Sequence, residues 1–234
     1  TVNDAEVPSI TCPANIIVSN DPGQCAAIVT YSVNFSDNCA GAALSQSAGL
    51  ASGSSFPSGV TANTFVVTDG SGNTSTCSFT VTVNDTEAPT ISCPANVNVS
   101  NDPGQCAAIV TYSVNFSDNC AGATLSQTAG LASGSSFPSG VTSNSFVVTD
   151  GSGNTATCSF TVTVNDTEAP SITCSANVVV SNDPGQCAAI VTYSIDSKEN
   201  SAGASINETA GLAKGSSFPG GVTADSVVAA DVAG

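Results

Sequence analysis

The chain repeats itself with a fixed period of 81 residues. The segment "SNDPGQCAAIVTYS" begins at Ser19 and recurs at Ser100 and Ser181, and the surrounding segments keep the same spacing without gaps. A period this long predicts an array of similar modules, each large enough to hold its own core and to contact its neighbours. We predict three domains, residues 1–84, 85–165 and 166–234. The third is incomplete, because it has no counterpart of the segment "NTATCSFTVTV" at residues 154–164.

The local pattern is typical of β-strands. The segments "NTFVVTD" (63–69) and "TCSFTVTVND" (76–85) alternate apolar and polar residues, and "CAAIVTYSVNF" (25–35) is rich in β-branched and aromatic residues. The segments "NDPGQ" and "DGSGN" between them are typical of tight turns, and no helical periodicity of useful length is present. About seven short strands in each repeat predict an all-β fold of tandem immunoglobulin-like sandwiches, arranged as a rod-like array.

Each complete repeat has four cysteine positions, and four cysteines allow three pairings. Repeat 3 keeps the first two positions, has Ser201 at the third and ends before the fourth. This joint loss favours pairing the first position with the second and the third with the fourth. A zinc site is disfavoured, because the chain has no histidine and no CxxC spacing. The predicted disulfides are Cys12–Cys25, Cys39–Cys77, Cys93–Cys106, Cys120–Cys158 and Cys174–Cys187.

Disulfides and charge restrict where the chain functions and what it binds. Stable disulfides predict a secreted or cell-surface, extracellular protein. With 18 acidic residues, two lysines and a net charge of −16, the chain lacks the cations that bind nucleic acid or anionic membranes. No run of 18 apolar residues predicts membrane insertion. Because the chain opens inside a repeat, we expect a mature or excised segment.

Several motifs occur in the same order and spacing as in a known family. They are "D-x-x-x-P-x-I-x-C-P" at 85–94, "DNC" at 118–120, "FPSGV" at 137–141 and "VTDGSGNTATCSFTVTV" at 148–164. In these motifs the chain resembles the hyalin repeat, or HYR domain, over nearly its whole length. The resemblance implies immunoglobulin-like sandwiches of extracellular proteins, often in tandem and associated with adhesion, and it supplies no catalytic residues. Repeat 3 departs from the pattern in its third cysteine and its missing last strand.

The residues give little support for an enzyme. Without histidine, a nucleophile activated by histidine is excluded. No glycine-rich segment has the strand-to-helix context of a phosphate-binding loop. A glycosidase-like carboxylate pair stays open, but the acidic residues recur in the loops of every repeat rather than in one cleft. We predict no catalytic activity and no organic cofactor.

The acidic residues instead predict a calcium site at one end of each repeat. In an immunoglobulin-like sandwich the first loop and two later loops lie at the same end, and the turn of the preceding repeat points towards it. Carboxylates, with amide oxygens from Asn84 and Asn119, suit Ca²⁺, which binds six to eight oxygens. The alternative is a solvated acidic surface that keeps the protein soluble. The candidate ligands are Asp4, Glu6, Asp21, Asp37, Asp69, Asp85, Glu87, Asp102, Asp118, Asp150, Asp166, Glu168, Glu199 and Asp231.

Glycosylation is a weaker prediction. Seven asparagines begin N-x-S/T sequons, a number close to what the Asn, Ser and Thr content gives by chance. The candidate sites are Asn34, Asn73, Asn84, Asn98, Asn115, Asn165 and Asn207.

Two classes of function remain open. One is a structural array, a stalk or a head-to-tail filament with calcium-stiffened junctions. The other is a surface adhesin module that binds carbohydrate or a protein partner. Near-identical repeats favour the first class, as does the absence of Trp. The only tyrosines, Tyr31, Tyr112 and Tyr193, lie in strands predicted to be core.

The open third repeat has two explanations. The chain is a window of a longer array, or it self-associates head to tail. In the second case the start of the next copy would dock beside the unpaired edge of repeat 3 and the contact would propagate a filament.

Overall fold

A computed structural model of the protein describes residues 3–200 and 203–231. Every regular element in these ranges is a β-strand, and none of them contains a helix with the length and apolar character that a membrane span needs. The chain divides into two compact units. The first extends to Cys93 and includes residues 114–128 and 145–158, and the second takes 94–113, 129–144 and the chain from 159 onward. These units do not coincide with the repeats, and the division into three domains stays a prediction.

Repeat 1 folds into eight strands, one more than expected. A four-stranded sheet has the order β2-β8-β7-β5, in which β2 is parallel to β8 and the other pairs are antiparallel. Two antiparallel pairs, β1-β4 and β3-β6, complete the repeat. The strands are β1 (Ser9–Thr11), β2 (Ile16–Ser19), β3 (Ala26–Ile28), β4 (Asn34–Ser36), β5 (Ala43–Ala48), β6 (Ser55–Pro57), β7 (Gly59–Thr68) and β8 (Thr74–Asn84).

Repeat 2 has the same topology, with the sheet β10-β16-β15-β13 and the pairs β9-β12 and β11-β14. Its strands are β9 (Thr90–Ser92), β10 (Val97–Ser100), β11 (Ala107–Val110), β12 (Asn115–Ser117), β13 (Thr124–Ala129), β14 (Ser135–Pro138), β15 (Gly140–Thr149) and β16 (Thr155–Asn165). The predicted all-β sandwich fold is therefore confirmed. The segment at 25–35, rich in β-branched and aromatic residues, contributes to two short strands, since β3 ends at Ile28 and β4 begins at Asn34.

The alternation along β8 produces the core of repeat 1. Phe79, Val81 and Val83 lie on one face of the strand and are almost completely buried. They pack with Phe56 and Phe65 from β6 and β7. Burying side chains of this size stabilises a fold by roughly 1.5–3 kcal/mol each. The core is thus supplied mainly by the last two strands, with the short strand pairs covering it.

A buried amide fixes the turn that follows β5. The Asn63 side chain is fully buried, and its Oδ1 accepts the Leu50 backbone N–H at 2.9 Å. Gly49 has φ +92°, and a Cβ at this position would lie 2.1 Å from the same Oδ1. Only glycine satisfies both the backbone angle and this close approach.

Repeat 3 has only the short strand pairs β17-β19, β18-β21 and β20-β22 in its described part. Its strands are β17 (Ser171–Cys174), β18 (Ala188–Ile190), β19 (Ile195–Lys198), β20 (Ser205–Ala210), β21 (Ser217–Pro219) and β22 (Ser226–Ala230). Val179 and Val222 are almost fully exposed, and among its described apolar residues only Ala189 is buried. Because it has no counterpart of β8, this repeat forms no four-stranded sheet within the described ranges.

Candidate cation site at the repeat junctions

The cysteines pair differently from the prediction. Cys12–Cys77 and Cys93–Cys158 join the first and fourth positions within a repeat. Cys25–Cys120 joins the second position of repeat 1 to the third position of repeat 2, with Cα atoms 4.8 Å apart. Cys39, Cys106, Cys174 and Cys187 form no disulfide. The predicted pairs Cys12–Cys25, Cys39–Cys77, Cys93–Cys106, Cys120–Cys158 and Cys174–Cys187 are therefore wrong.

The faces of the strands explain the difference. Cys77 lies on the core-facing side of β8, two residues before Phe79, and Cys12 packs against the same core. Cys39 is exposed in a loop, so it cannot reach a side chain that points into the sandwich. Ser201, at the third position of repeat 3, lies outside the described residues. By analogy with Cys25–Cys120, a cysteine at position 201 would be the partner of Cys106. Because residue 201 is a serine, Cys106 stays a free thiol.

The inter-repeat disulfide belongs to a set of contacts made by the turn before Cys25. The Gly23 backbone N–H donates to Glu87 Oε2 at 2.7 Å. The Asn119 side-chain amide donates to the Gln24 carbonyl at 3.0 Å. Three consecutive residues of the turn are thus held by the first loop and by the loop after β12 of repeat 2.

The next junction keeps these contacts without a disulfide. The Gly104 N–H donates to Glu168 Oε2 at 2.7 Å, and the Asn200 amide donates to the Gln105 carbonyl at 3.0 Å. The distances equal those of the first junction, although Cys106 is a free thiol. Hydrogen bonds therefore define the junction, and the disulfide adds to them.

Three carboxylates converge beside the first junction. Asp85 follows β8, Asp118 follows β12 and Asp150 follows β15. One carboxylate oxygen from each residue lies within 4.8 Å of the other two. Two oxygens that each lie about 2.4 Å from one calcium ion are at most about 4.8 Å apart, so the spacing suits a shared ion. The structure brings together the three predicted loops. Asp4, Asp37 and Asp69 form an equivalent group in repeat 1.

The environment of the cluster leaves oxygen lone pairs unused. Asp85 and Asp150 are only 6% exposed. Asp85 Oδ2, Asp118 Oδ1 and Asn119 Oδ1 are buried and accept no hydrogen bond from any described residue. The Asn119 NH₂ group is engaged by the Gln24 carbonyl and Asp85 Oδ1. All three unused atoms are hydrogen-bond acceptors, so they cannot form hydrogen bonds with one another.

The same three positions have unused oxygens at the second junction. Asp166 Oδ2, Glu199 Oε2 and Asn200 Oδ1 are buried without a donor among the described residues. The Asn200 NH₂ group donates to the Gln105 carbonyl and to Glu168 Oε2, and these bonds fix the orientation of the side-chain amide. This recurrence ties the pattern to the junction rather than to one irregular loop.

Hydrogen bonds keep two of the candidate ligands ionised, Asp69 in repeat 1 and Asp150 in repeat 2. The Asn73 side chain lowers the pKa of Asp69, helped by the backbone N–H groups of the same turn. Burial raises the pKa of Asp150, but hydrogen bonds from the Asn154 side chain and the turn backbone outweigh it, so the pKa is lowered. Ionised carboxylates in this position attract cations.

Four of the remaining predicted ligands make other contacts. Asp21 Oδ2 accepts the Ile28 N–H, and Asp102 Oδ2 accepts the Ile109 N–H, so both carboxylates shape their own turn. Glu87 and Glu168 hold the turn of the preceding repeat. Glu6 occupies the corresponding position in repeat 1. Asp231 belongs to neither of the two close carboxylate groups found in the described ranges.

Sequence reasoning placed the "NDPGQ" turn at the junction, but it missed the contacts made by Gly23 and Gln24 and the bond from Cys25 to the next repeat. The available signal is that "GQC" recurs in every repeat, while a cysteine follows "DN" only in repeats 1 and 2. The glycosylation sites stay predictions. At one of them, the Asn73 amide already donates to Asp69 Oδ2 at 2.7 Å.

The tyrosines of repeats 1 and 2 pack against the core and are not exposed platforms for a sugar. The Tyr31 ring packs edge-on against Phe79 with centroids 4.9 Å apart, and its hydroxyl donates to the Leu50 carbonyl. Tyr112 makes the matching contact with Phe160 at 4.9 Å. These rings complete the edge of the core.

Fold and junction together define a protein of tandem immunoglobulin-like sandwiches, joined by hydrogen bonds and, at the first junction, by a disulfide. The sequence profile of the HYR domain matches residues 3–83 and 84–164, and the chain belongs to this family. It is 32% identical to hyalin of Strongylocentrotus purpuratus over 237 residues, covering 99% of this chain and 20% of that protein. It is also 32% identical to hyalin of Lytechinus variegatus over 204 residues, covering 82% of this chain and 38% of that protein. The chain therefore spans well under half the length of these relatives.

Among solved structures, the chain is similar to the extracellular cadherin domains 1–4 of protocadherin gamma B7. The match has 12% identity and a TM-score of 0.34, and it covers 97% of this chain and 76% of that one.

Proposed function

We propose that this chain is part of an extracellular structural and adhesive array, a stalk or head-to-tail filament, whose repeat junctions are stiffened by calcium. The observation that carries the proposal is the recurring trio of buried, acceptor-only oxygens at both junctions. Membership of the HYR family and the disulfides support the extracellular setting. No catalytic role is proposed.

A cation explains the cluster better than a solvated acidic surface does. Burying a carboxylate oxygen that accepts no hydrogen bond is costly, and Asp85 Oδ2 and Asp118 Oδ1 are two such atoms. The three carboxylates, with oxygens within 4.8 Å of one another, also repel. Acidic residues that keep a protein soluble are exposed, whereas Asp85 and Asp150 are each only 6% exposed. Calcium suits the site because its coordination by oxygen is flexible, whereas magnesium demands near-ideal octahedral geometry.

The candidate ligands would make an ion a mechanical part of the junction. Asp85 belongs to the segment that leads from repeat 1 into repeat 2, and Asp118 and Asn119 belong to a loop of repeat 2. Asn119 also holds the Gln24 carbonyl of repeat 1. An ion shared by these residues would fix the linking segment and the docked turn together.

Thermal unfolding in metal-stripped buffer tests the proposal. Calcium at about 100 times its dissociation constant would stabilise the folded chain by about 2.7 kcal/mol, and magnesium at the same concentration much less. Asp118→Asn should reduce this shift, since it neutralises one ligand of the first junction and leaves the other acidic sites intact. Asp196→Asn is the matched control, because Asp196 is exposed on β19 and outside both close carboxylate groups.

An unchanged melting temperature on adding calcium to the wild-type chain would overturn the proposal. A calcium shift that D118N and D196N reduce equally would also count against it, since general charge screening would then explain the effect.

A further inference from the structure

The disulfide of the first junction is attached to the same loop that supplies two of the candidate calcium ligands. Asp118, Asn119 and Cys120 are consecutive, and Cys120 is bonded to Cys25 in the turn of repeat 1. The Cys120 backbone N–H donates to Asp118 Oδ2 at 3.2 Å. The disulfide therefore holds the residue whose N–H orients the Asp118 carboxylate.

The Asn119 side chain connects the docked turn to the carboxylate cluster. Its NH₂ group donates to the Gln24 carbonyl at 3.0 Å and to Asp85 Oδ1 at 3.3 Å. The Gln24 carbonyl also accepts the Asn20 side-chain amide at 3.0 Å, so both of its lone pairs are used. Asn119 Oδ1 is buried and accepts no hydrogen bond from any described residue. One amide group thus contacts the turn and the cluster, and its oxygen is left for an ion.

The cluster itself has a buried oxygen that points to a cation. Asp85 is only 6% exposed, and its Oδ2 has no hydrogen-bond donor among the described residues. It lies in a group with Asp118 and Asp150, in which one oxygen of each residue is within 4.8 Å of the other two. A cation would satisfy these oxygens and cancel their mutual repulsion.

An ion and the disulfide would restrain the same short loop. An ion shared by Asp85 and Asp118 fixes the loop against the segment that leads into repeat 2. The disulfide fixes the same loop, at Cys120, against the turn of repeat 1. A loop that is already held loses less conformational freedom on binding, so each restraint lowers the entropic cost of the other.

We propose that the Cys25–Cys120 disulfide and the cation site of the first junction are coupled, so that the oxidised junction binds calcium more tightly than the reduced one. This inference rests on the proposed calcium site and adds its regulation by redox state. Coupling between two sites is reciprocal. Bound calcium therefore opposes reduction of the disulfide by the same factor by which the disulfide tightens calcium binding.

The second junction has the same hydrogen bonds but no disulfide to couple with an ion. The Asn200 amide donates to the Gln105 carbonyl at 3.0 Å, the distance of the equivalent bond at the first junction. Cys106 is a free thiol, and residue 201 is a serine. A reductant of disulfides therefore acts on the first junction and leaves the covalent structure of the second unchanged.

The redox step is thiol–disulfide exchange with a dithiol such as dithiothreitol. One thiolate of the dithiol attacks a sulfur of the Cys25–Cys120 bond and releases the other cysteine as a thiolate. The second thiolate of the reductant then closes a ring disulfide and releases the second cysteine. Two electrons pass from the dithiol to the protein disulfide, and the two thiol protons of the reductant end on the two cysteines.

Calcium titrations followed by proton–nitrogen correlation NMR test the coupling at each junction separately. They compare the full chain with its Cys25→Ser, Cys120→Ser variant. The backbone N–H of Gly23 reports on the first junction, and that of Gly104 reports on the second. The disulfide should tighten calcium binding about tenfold at the first junction. Binding at the second junction should be equal in both chains, and the signals of the β8 core residues show that the variant is folded.

A second measurement uses the wild-type chain and needs no cysteine variant. In dithiothreitol buffers of graded redox ratio, alkylation and mass spectrometry give the reduced fraction of Cys25 and Cys120. Saturating calcium should lower the equilibrium constant for reduction about tenfold, the factor found in the titration. The Cys12–Cys77 disulfide lies within repeat 1 and should respond much less.

Two aspartate variants separate the site from general effects of calcium. Asp118→Asn neutralises a ligand and keeps the disulfide, so the protection of Cys25–Cys120 by calcium should decrease. Asp196→Asn should keep the full protection, because Asp196 is exposed on β19. Equal protection in the two variants would count against the coupling.

Equal calcium affinities of the first junction with and without the disulfide would overturn the coupling and leave the calcium site in place. Equal protection of Cys25–Cys120 and Cys12–Cys77 by calcium would overturn it as well. If calcium shifts no junction signal of the wild-type chain, the proposed calcium site fails, and the coupling fails with it.

Discussion

Cys25 and Cys120 are bonded across 95 residues of sequence, from the turn of one repeat to a loop of the next. The bond lies beside the Gly23–Glu87 and Asn119–Gln24 contacts. It makes the junction covalent, while the two other disulfides stay inside single repeats.

Peptide mapping without reduction should find this arrangement in the purified chain. The expected linked peptides are Cys12–Cys77, Cys93–Cys158 and Cys25–Cys120, because these pairs are adjacent in the folded state. A Cys12–Cys25 peptide as the main product of native, alkylated protein would contradict the structure.

Restoring the missing cysteine should lock the second junction. In Ser201→Cys the new thiol takes the sequence position of Cys120, one residue after an asparagine that already contacts the turn. It should bond to Cys106 on mild oxidation. A closed loop of this length stabilises a chain by roughly 2–4 kcal/mol against unfolding.

Mass spectrometry after cyanylation or alkylation would detect the S201C bond, and Ala202→Cys is a control with its thiol moved by one position. Equal oxidation of Cys106 in both variants would show that the second junction does not share the geometry of the first.

Two glycines of one turn should respond differently to alanine. Both have positive φ, +92° for Gly49 and +84° for Gly53, so each substitution strains the backbone by about 1–2 kcal/mol. The Cβ at Gly49 also meets Asn63 Oδ1, whereas nothing lies within 4 Å at Gly53. Gly49→Ala should therefore lower the free energy of unfolding by about 1–3 kcal/mol more than Gly53→Ala. Denaturant titration measures both, and equal losses would refute the role of the Asn63 contact.

The sequence was sufficient for the sandwich fold and for the end of the repeat where carboxylates gather, because alternation along β8 and the 81-residue period carry that information directly. The period could not show whether Cys25 bonds within its repeat or across a junction, since every cysteine position recurs in each complete copy. The loss of two cysteine positions in repeat 3 led to the wrong pairs, because in the structure the third position bonds to the preceding repeat and the fourth bonds to the first position of its own repeat. Its meaning depended on Cys77 facing the core and Cys39 facing solvent, and these orientations emerge only from packing.

The Tyr193 hydroxyl should titrate at unusually high pH. A hydrogen bond to Glu208 Oε1, 2.8 Å away, together with burial and nearby carboxylate charge, raises the pKa of Tyr193 to about 12. The folded pKa lies above the unfolded value of 10.0, so the associated stability is complete below pH 10 and is lost as the pH rises towards about 12.

Ultraviolet titration of a Tyr31→Phe, Tyr112→Phe chain isolates Tyr193. Glu208→Gln should shift its transition to lower pH, since the ionised partner is gone. An unshifted transition in E208Q would contradict the assigned cause.

A crystal structure of the chain grown in millimolar calcium would show whether an ion occupies the first junction. We predict a strong anomalous peak among Asp85, Asp118 and Asp150, with oxygens at about 2.3–2.6 Å and Asn119 Oδ1 in its coordination sphere. Density that refines only as water at this position, in a crystal with intact junction hydrogen bonds, would contradict it.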